Sequence, residues 1–235
     1  MADIVVAHGA WSAGWAWKKM RPLMAARGHS LWTPTYTGVG ERAHLAHPKI
    51  DLSTHIQDVV GVLETEDLTD VVLIGHSYGG MVATGVADKA AARIARLIYL
   101  DAFVPADGQS LATLMDPTGS AEAGWRKAAE EGWRVPPRPL PPDTDPADVA
   151  WASPRRRPQP IETLLEPLHL TRGEAAMPRS YIYCTRPDPA DGFRRFYERA
   201  QAEPGWSAHA IDASHNPHVT TPVELADMLQ RIIAG

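Results

Sequence analysis

Gly75-His76-Ser77-Tyr78-Gly79 sets a serine between two glycines two residues away on either side. Before it, Val71-Val72-Leu73-Ile74 is a β-branched apolar run suited to a strand buried on both faces. After it, Gly80 to Lys89 has helical apolar spacing and no proline. Strand, sharp turn and helix are the setting of a nucleophile elbow, in which the serine sits on a strained turn and its neighbours must be small. A serine hydroxyl attacks a carbonyl only when a base takes its proton, and that base is usually a histidine oriented by a carboxylate.

The order of these groups on such a sheet is serine, acid, histidine. Of the 10 histidines, His215 and His218 follow the last strand candidate. His215 comes first, in the loop Asp212-Ala213-Ser214-His215-Asn216-Pro217, and is the expected base. His218 is expected at the start of the last helix, solvated or lining the pocket, and His209 in a packing role on the strand. Two carboxylates compete for the acid. Asp188 follows the strand Tyr181 to Cys184 between prolines, and Asp101 ends the strand Leu97 to Leu100. The residues leave the two open, with Asp212 behind them. A developing oxyanion needs two backbone N–H donors. Tyr78, after the nucleophile, supplies one, and Ala10, in the turn His8-Gly9-Ala10-Trp11 after the first strand, supplies the other. His8 reads as a structural hydrogen-bonding residue, and Trp11 as a substrate-binding residue beside the acyl pocket.

The elements that must position these groups alternate. Strand candidates are Ile4 to Ala7, Ser30 to Thr33, Val71 to Ile74, Leu97 to Asp101, Ser180 to Cys184 and Ala208 to Ile211. Helical stretches lie near Trp15 to Arg27, Ser53 to Glu64, Gly80 to Ala91, Phe193 to Ala202 and Pro222 to Ile233. Such alternation predicts an α/β fold, a mostly parallel sheet with helices on both faces. The break is Phe103 to Pro178, which holds most of the chain's 21 prolines and short helical pieces at Ala121 to Glu131 and Ile161 to Leu165. A long interruption inside a compact domain is usually functional. It divides the chain into a core of residues 1–102 and 179–235 and a small cap or lid of residues 103–178, over the carboxyl ends of the strands.

With 235 residues and 44% hydrophobic content, the chain can bury one full core. A net charge of -5 gives no reason to expect nucleic acid. No apolar run reaches the ~20 residues that span a bilayer, and Met1-Ala2-Asp3 running straight into the first strand points to no leader. The lone Cys184 rules out an intrachain disulfide and makes a reducing, cytoplasmic setting the default; at the end of an apolar strand it reads as a packing residue. His44 and His47 lack a third ligand, so no metal is expected. The first turn lacks G-x-G-x-x-G, so no dinucleotide is expected either. Arg155-Arg156-Arg157 reads as a solvated cap face. The expected partner is a small-molecule ester, with neither nucleic acid nor membrane. Oligomeric state is left open, a homodimer included.

His8-Gly9-Ala10-Trp11 with Gly14-Trp15-x-Trp17, then Gly75-His76-Ser77-Tyr78-Gly79-Gly80, Tyr99-Leu100-Asp101-Ala102-Phe103-Val104-Pro105 and Ser214-His215 resemble one branch of the α/β-hydrolase superfamily. That branch is the plant methylesterases and hydroxynitrile lyases with their bacterial esterase relatives. The resemblance covers nearly the whole chain and is weakest in the cap. It implies Ser77 as nucleophile, His215 as base, and Ala10 and Tyr78 as oxyanion donors. The plant members' acid maps to Asp188. They tend to carry Ala or Asn where this chain has Asp101, a departure that keeps the acid open. The lyase members have a Thr where this chain has Gly9 and a Lys where it has Asn216, so the ammonium that would stabilise a leaving cyanide is missing. The leading expectation is a cofactor-free serine hydrolase cleaving small, mainly apolar carboxylic esters through an acyl-enzyme. The alternatives are a hydroxynitrile-lyase-like enzyme and a non-catalytic ligand-binding protein on the same fold.

Overall fold

A computed structural model of the chain describes residues 1–173, 175–186 and 191–235. In chain order the elements are β1 (Asp3–Ala7), α1 (Met20–Ala26), β2 (Ser30–Trp32), α2 (Leu52–Thr65), β3 (Val71–His76), α3 (Gly79–Lys89) and β4 (Ile94–Leu100). An insertion follows, with α4 (Leu111–Met115), α5 (Ser120–Ala128), β5 (Arg134–Val135), α6 (Pro146–Ala152), β6 (Gln159–Pro160) and α7 (Glu162–Leu165). The chain then returns through β7 (Arg179–Cys184), α8 (Arg194–Ala202), β8 (Trp206–Ile211), α9 (Pro217–Thr220) and α10 (Pro222–Ala234).

The larger sheet has six strands in the order β2-β1-β3-β4-β7-β8, and every pairing in it is parallel. The six strand candidates are its six strands. Successive residues of a strand point to opposite faces, which explains the apolar runs. Val5, Leu73 and Leu97 pack with α2, α3 and α8, and Ile4, Ile74 and Ile98 pack with α1 and α10. Helix α2 starts where the Asp51 carboxylate accepts the Thr54 N–H at 2.8 Å, and it turns Leu52, Ile56, Val59 and Leu63 inward. The helix expected over Trp15 to Arg27 is instead a short 3-10 turn at Gly14–Trp17 followed by α1. Pro22 is the reason: without an N–H it cannot bond the carbonyl of Lys18, so a continuous helix would lose a rung there.

The insertion is anchored to the sheet-bearing part at both ends. Its β5 and β6 pair as a small antiparallel ladder, with Val135 opposite Gln159. Near its return to β7, the buried Asp88 carboxylate at the end of α3 accepts the N–H and O–H of Thr171, each at 3.0 Å, and the N–H of Arg172 at 2.8 Å. Lys19 donates to Asp148 of α6 at 2.6 Å and to the carbonyl of Val219 in α9 at 2.9 Å. Among the described residues no helix is long and apolar enough to cross a membrane.

Candidate active site

Ser77 stands between β3 and α3 with φ +56°, the left-handed region that a serine rarely adopts. Two glycines allow the turn. A Cβ on Gly79 would lie 2.0 Å from the carbonyl oxygen of Ala7, and one on Gly75 would lie 2.8 Å from that of Gly79. The elbow is pinned to β4: Ser77 N–H reaches the Leu100 carbonyl at 3.3 Å, and Phe103 N–H reaches the Ser77 carbonyl at 3.2 Å.

Ser77 Oγ is 2.9 Å from His215 Nε2, and His215 Nδ1 is 2.7 Å from Asp101 Oδ2. A carboxylate only accepts, so Nδ1 carries the proton and Nε2 is free to accept the serine hydroxyl proton. Asp101 is 4% exposed, and its other oxygen takes the Cys184 N–H at 3.2 Å. Its backbone also stands in the left-handed region, φ +41°, where its N–H donates to the Ile182 carbonyl at 2.7 Å. That turn aims the side chain from the carboxyl end of β4 across β7 toward the loop after β8. Asp188, the other expected acid, lies outside the described residues. Asp212 faces elsewhere, in a two-point contact with Arg186 at 2.8 and 2.9 Å.

The His215 loop is held from below. His76, the residue before Ser77, donates from Nε2 to the His215 carbonyl at 2.8 Å. Phe193 stacks against the imidazole of His215 from the other direction. His218 is buried rather than solvated, its ring stacked on Trp17 at 4.6 Å. Burial lowers the pKa of His76 well below the ordinary range and that of His218 to about 3. Both are therefore neutral at pH 7, and neither adds a positive charge beside His215.

The amide N–H groups of Ala10 and Tyr78 have no acceptor among the described residues. His8 serves the first turn structurally, with Nδ1 donating to the Gly9 carbonyl at 2.9 Å and Nε2 accepting the Tyr36 N–H at 3.4 Å. Trp11 is half-buried with φ +56°, and both its donors go to the insertion: the backbone N–H to Gln159 Oε1 at 3.1 Å, the indole N–H to the Val135 carbonyl at 2.9 Å. Cys184 is buried, and burial pushes its thiol well above the usual range, so it is inert as a nucleophile.

Four residues around this cluster were not singled out in the sequence: His55, Gln159, Thr163 and Phe193. His55 Nδ1 lies 2.9 Å from the Tyr78 hydroxyl, and its Nε2 lies 3.1 Å from the Thr37 carbonyl. A histidine on the apolar stripe of α2, between Leu52 and Val59, was a visible signal of a buried polar contact. Gln159 and Thr163 had no comparable signal, since their partners are remote in the chain.

The model of the alpha/beta hydrolase family matches residues 4–228. The carbendazim-hydrolyzing esterase of Nocardioides sp. (strain SG-4G) is 42% identical over 241 residues, covering 97% of this chain and 98% of that protein. Methylesterase 1 of Arabidopsis thaliana is 32% identical over 127 residues, 49% of this chain and 45% of the plant protein. Among solved structures, an extracellular alpha/beta-hydrolase from a Paenibacillus species superposes with a TM-score of 0.82 over 98% of both chains, at 24% identity, a likeness of fold.

Proposed function

Because the chain belongs to the alpha/beta hydrolase family and is a carboxylic-ester hydrolase, we propose that Ser77, His215 and Asp101 form its catalytic triad. Ser77 Oγ attacks the ester carbonyl carbon while its proton passes to His215 Nε2. Asp101 holds the imidazole in the required tautomer and stabilises the imidazolium. The Ala10 and Tyr78 N–H groups receive the charge that develops on the carbonyl oxygen. His215 then gives its proton to the departing alcohol, leaving an acyl group on Ser77. Water, activated by the same imidazole, attacks that acyl group and releases the acid. The observation that carries this reading is the unbroken relay Ser77–His215–Asp101, at 2.9 and 2.7 Å.

Residues 103–178 act as a cap, and Trp11 is a substrate-binding residue beside the acyl pocket. The substrates are small, mainly apolar esters. Carbendazim, the compound for which the Nocardioides relative is named, is the first to try. The lyase alternative is disfavoured by Gly9 and Asn216, which offer neither the hydroxyl nor the ammonium at those positions. A purely ligand-binding role is disfavoured by the intact relay. A cytoplasmic setting fits the single unpaired thiol of Cys184.

Burst kinetics with a chromogenic ester, alongside carbendazim turnover, test the reading. Ser77→Ala should lower turnover by about a millionfold with the fold intact. Retention of a tenth of the activity would remove Ser77 from the mechanism, and saturable binding without turnover would favour the ligand-binding alternative.

A further inference from the structure

Trp11 is a bulky residue in the left-handed backbone region, φ +56°. Such a conformation costs about 1–3 kcal/mol and persists only where the surroundings over-determine it. Here the insertion supplies the constraint. Val135 and Gln159 face each other across the β5–β6 ladder. One takes the indole N–H of Trp11, the other its backbone N–H. The Trp11 N–H belongs to the peptide immediately after Ala10, so Gln159 fixes the peptide adjoining the first proposed oxyanion donor.

Gln159 is itself locked. It is 1% exposed, and its Nε2 donates to Thr163 Oγ1 at 2.9 Å. The Thr163 hydroxyl, also 1% exposed, donates to the Pro160 carbonyl at 2.6 Å. That fixes which end of the amide is which: the nitrogen faces Thr163, leaving the oxygen for Trp11. A buried polar network with every member partnered is rigid, and one with a member removed is costly. One glutamine, locked by a threonine four residues further on, thus holds the peptide beside the first proposed oxyanion donor.

We infer that Gln159 and Thr163 are positioning residues that brace the oxyanion hole from the cap, Gln159 by holding the Trp11 peptide and Thr163 by locking the Gln159 amide. The inference rests on the proposed role of Ala10. Neither residue needs to touch substrate. Their effect appears where the oxyanion forms, so it falls on the transition state rather than on ground-state binding.

The test is Gln159→Leu and Thr163→Val in the full chain, with kcat and KM on a chromogenic ester, affinity for a phenylboronic acid, and circular dichroism. The boronic acid bonds to the serine oxygen and places an anionic oxygen in the hole. Gln159→Leu should lower kcat by about 10- to 100-fold, the size of effect that a misplacement near 1 Å produces. KM should stay within about threefold, and boronate affinity should fall in parallel with kcat/KM. A kcat within about twofold of the parent, or a raised KM at parental kcat, would overturn the inference. If Gln159→Leu does not fold, Thr163→Val carries the same test: it removes the hydroxyl that locks the amide and keeps Oε1 available to Trp11. A parental kcat in that variant overturns the inference too. Ser77→Ala serves as the reference. If it stays active, the triad and the brace fall together; if it is inactive while Gln159→Leu is unchanged, the brace alone falls.

Discussion

Phe193 lies face to face with His215, ring centroids 4.9 Å apart and planes 12° from parallel. Phe103 in turn meets Phe193 edge to face at 4.9 Å, fixing that ring. A ring face is the negative side of an aromatic quadrupole and attracts a cation placed over it by about 0.5–1 kcal/mol. The imidazolium is the form that the proposed mechanism creates at the barrier. Phe193→Leu should therefore lower kcat by about two- to fivefold at nearly constant KM. A variant with kcat unchanged would show that the ring only fills space.

The acid is tested by a pair of variants. In serine proteases the Asp→Asn change at this position lowers turnover by about ten-thousandfold. Asp101→Asn should show a loss of that order, and Asp188→Asn less than about tenfold. Steady-state kinetics with circular dichroism decide it. The reverse ranking would move the acid to the loop after β7.

Four buried histidines make stability depend on pH. Burial lowers the pKa of His8 to about 4, of His55 to about 3 and of His218 to about 3, and holds His76 well below its ordinary range. In the unfolded chain these groups titrate near pH 6.5. The folded pKa is the lower one, so between these values the unfolded chain binds more protons. The stability tied to neutral imidazoles is complete above about pH 6.5 and drains away as pH falls toward 4, by about 1.4 kcal/mol per histidine per pH unit. Urea midpoints at pH 7, 6 and 5 should fall steeply. A flat series across that range would contradict the neutral burial of these rings.

Gly79 cannot take a side chain without moving β1. The added carbon would sit 2.0 Å from the Ala7 carbonyl oxygen and 2.7 Å from that of His8. Both are backbone atoms just before the Ala10 turn, and they cannot rotate away. Gly79→Ala should cost about 3 kcal/mol or more, read as a lowered urea midpoint, with catalysis reduced beyond the loss of folded protein. An unchanged midpoint would mean that the elbow has room that these distances deny.

Much of this arrangement was legible in the sequence because it is local or periodic. Ser77 announced itself through flanking glycines and an apolar strand within ten residues. The six parallel strands followed from runs buried on both faces, as at Val71–His76. His215 could be picked out because it follows the last strand. What stayed hidden depends on contacts between remote segments. In the sequence Asp101 ends one strand candidate and Asp188 follows another, and only the left-handed turn at Asp101, unmarked by glycine, decides where its carboxylate points. The bond from Gln159 to Trp11 spans 148 positions, and no spacing rule connects a glutamine in a proline-rich insertion to a turn after β1. The fate of His218, stacked under the loop rather than solvated, was likewise set by Trp17, some 200 residues away.

The grip of Asp88 on Thr171 and Arg172 has a consequence for recombining this scaffold. A chimera that imports a foreign insertion must choose where to rejoin the host chain. A junction placed before Thr171 keeps all three donors with the carboxylate that needs them. One placed after Arg172 brings in unrelated residues: any of them but proline supplies the backbone N–H groups, but only serine or threonine at position 171 restores the hydroxyl, whose loss costs the buried carboxylate roughly 1–3 kcal/mol. The seam for exchanging the insertion between relatives therefore runs between Leu170 and Thr171, a few residues upstream of the point where the strand pattern resumes.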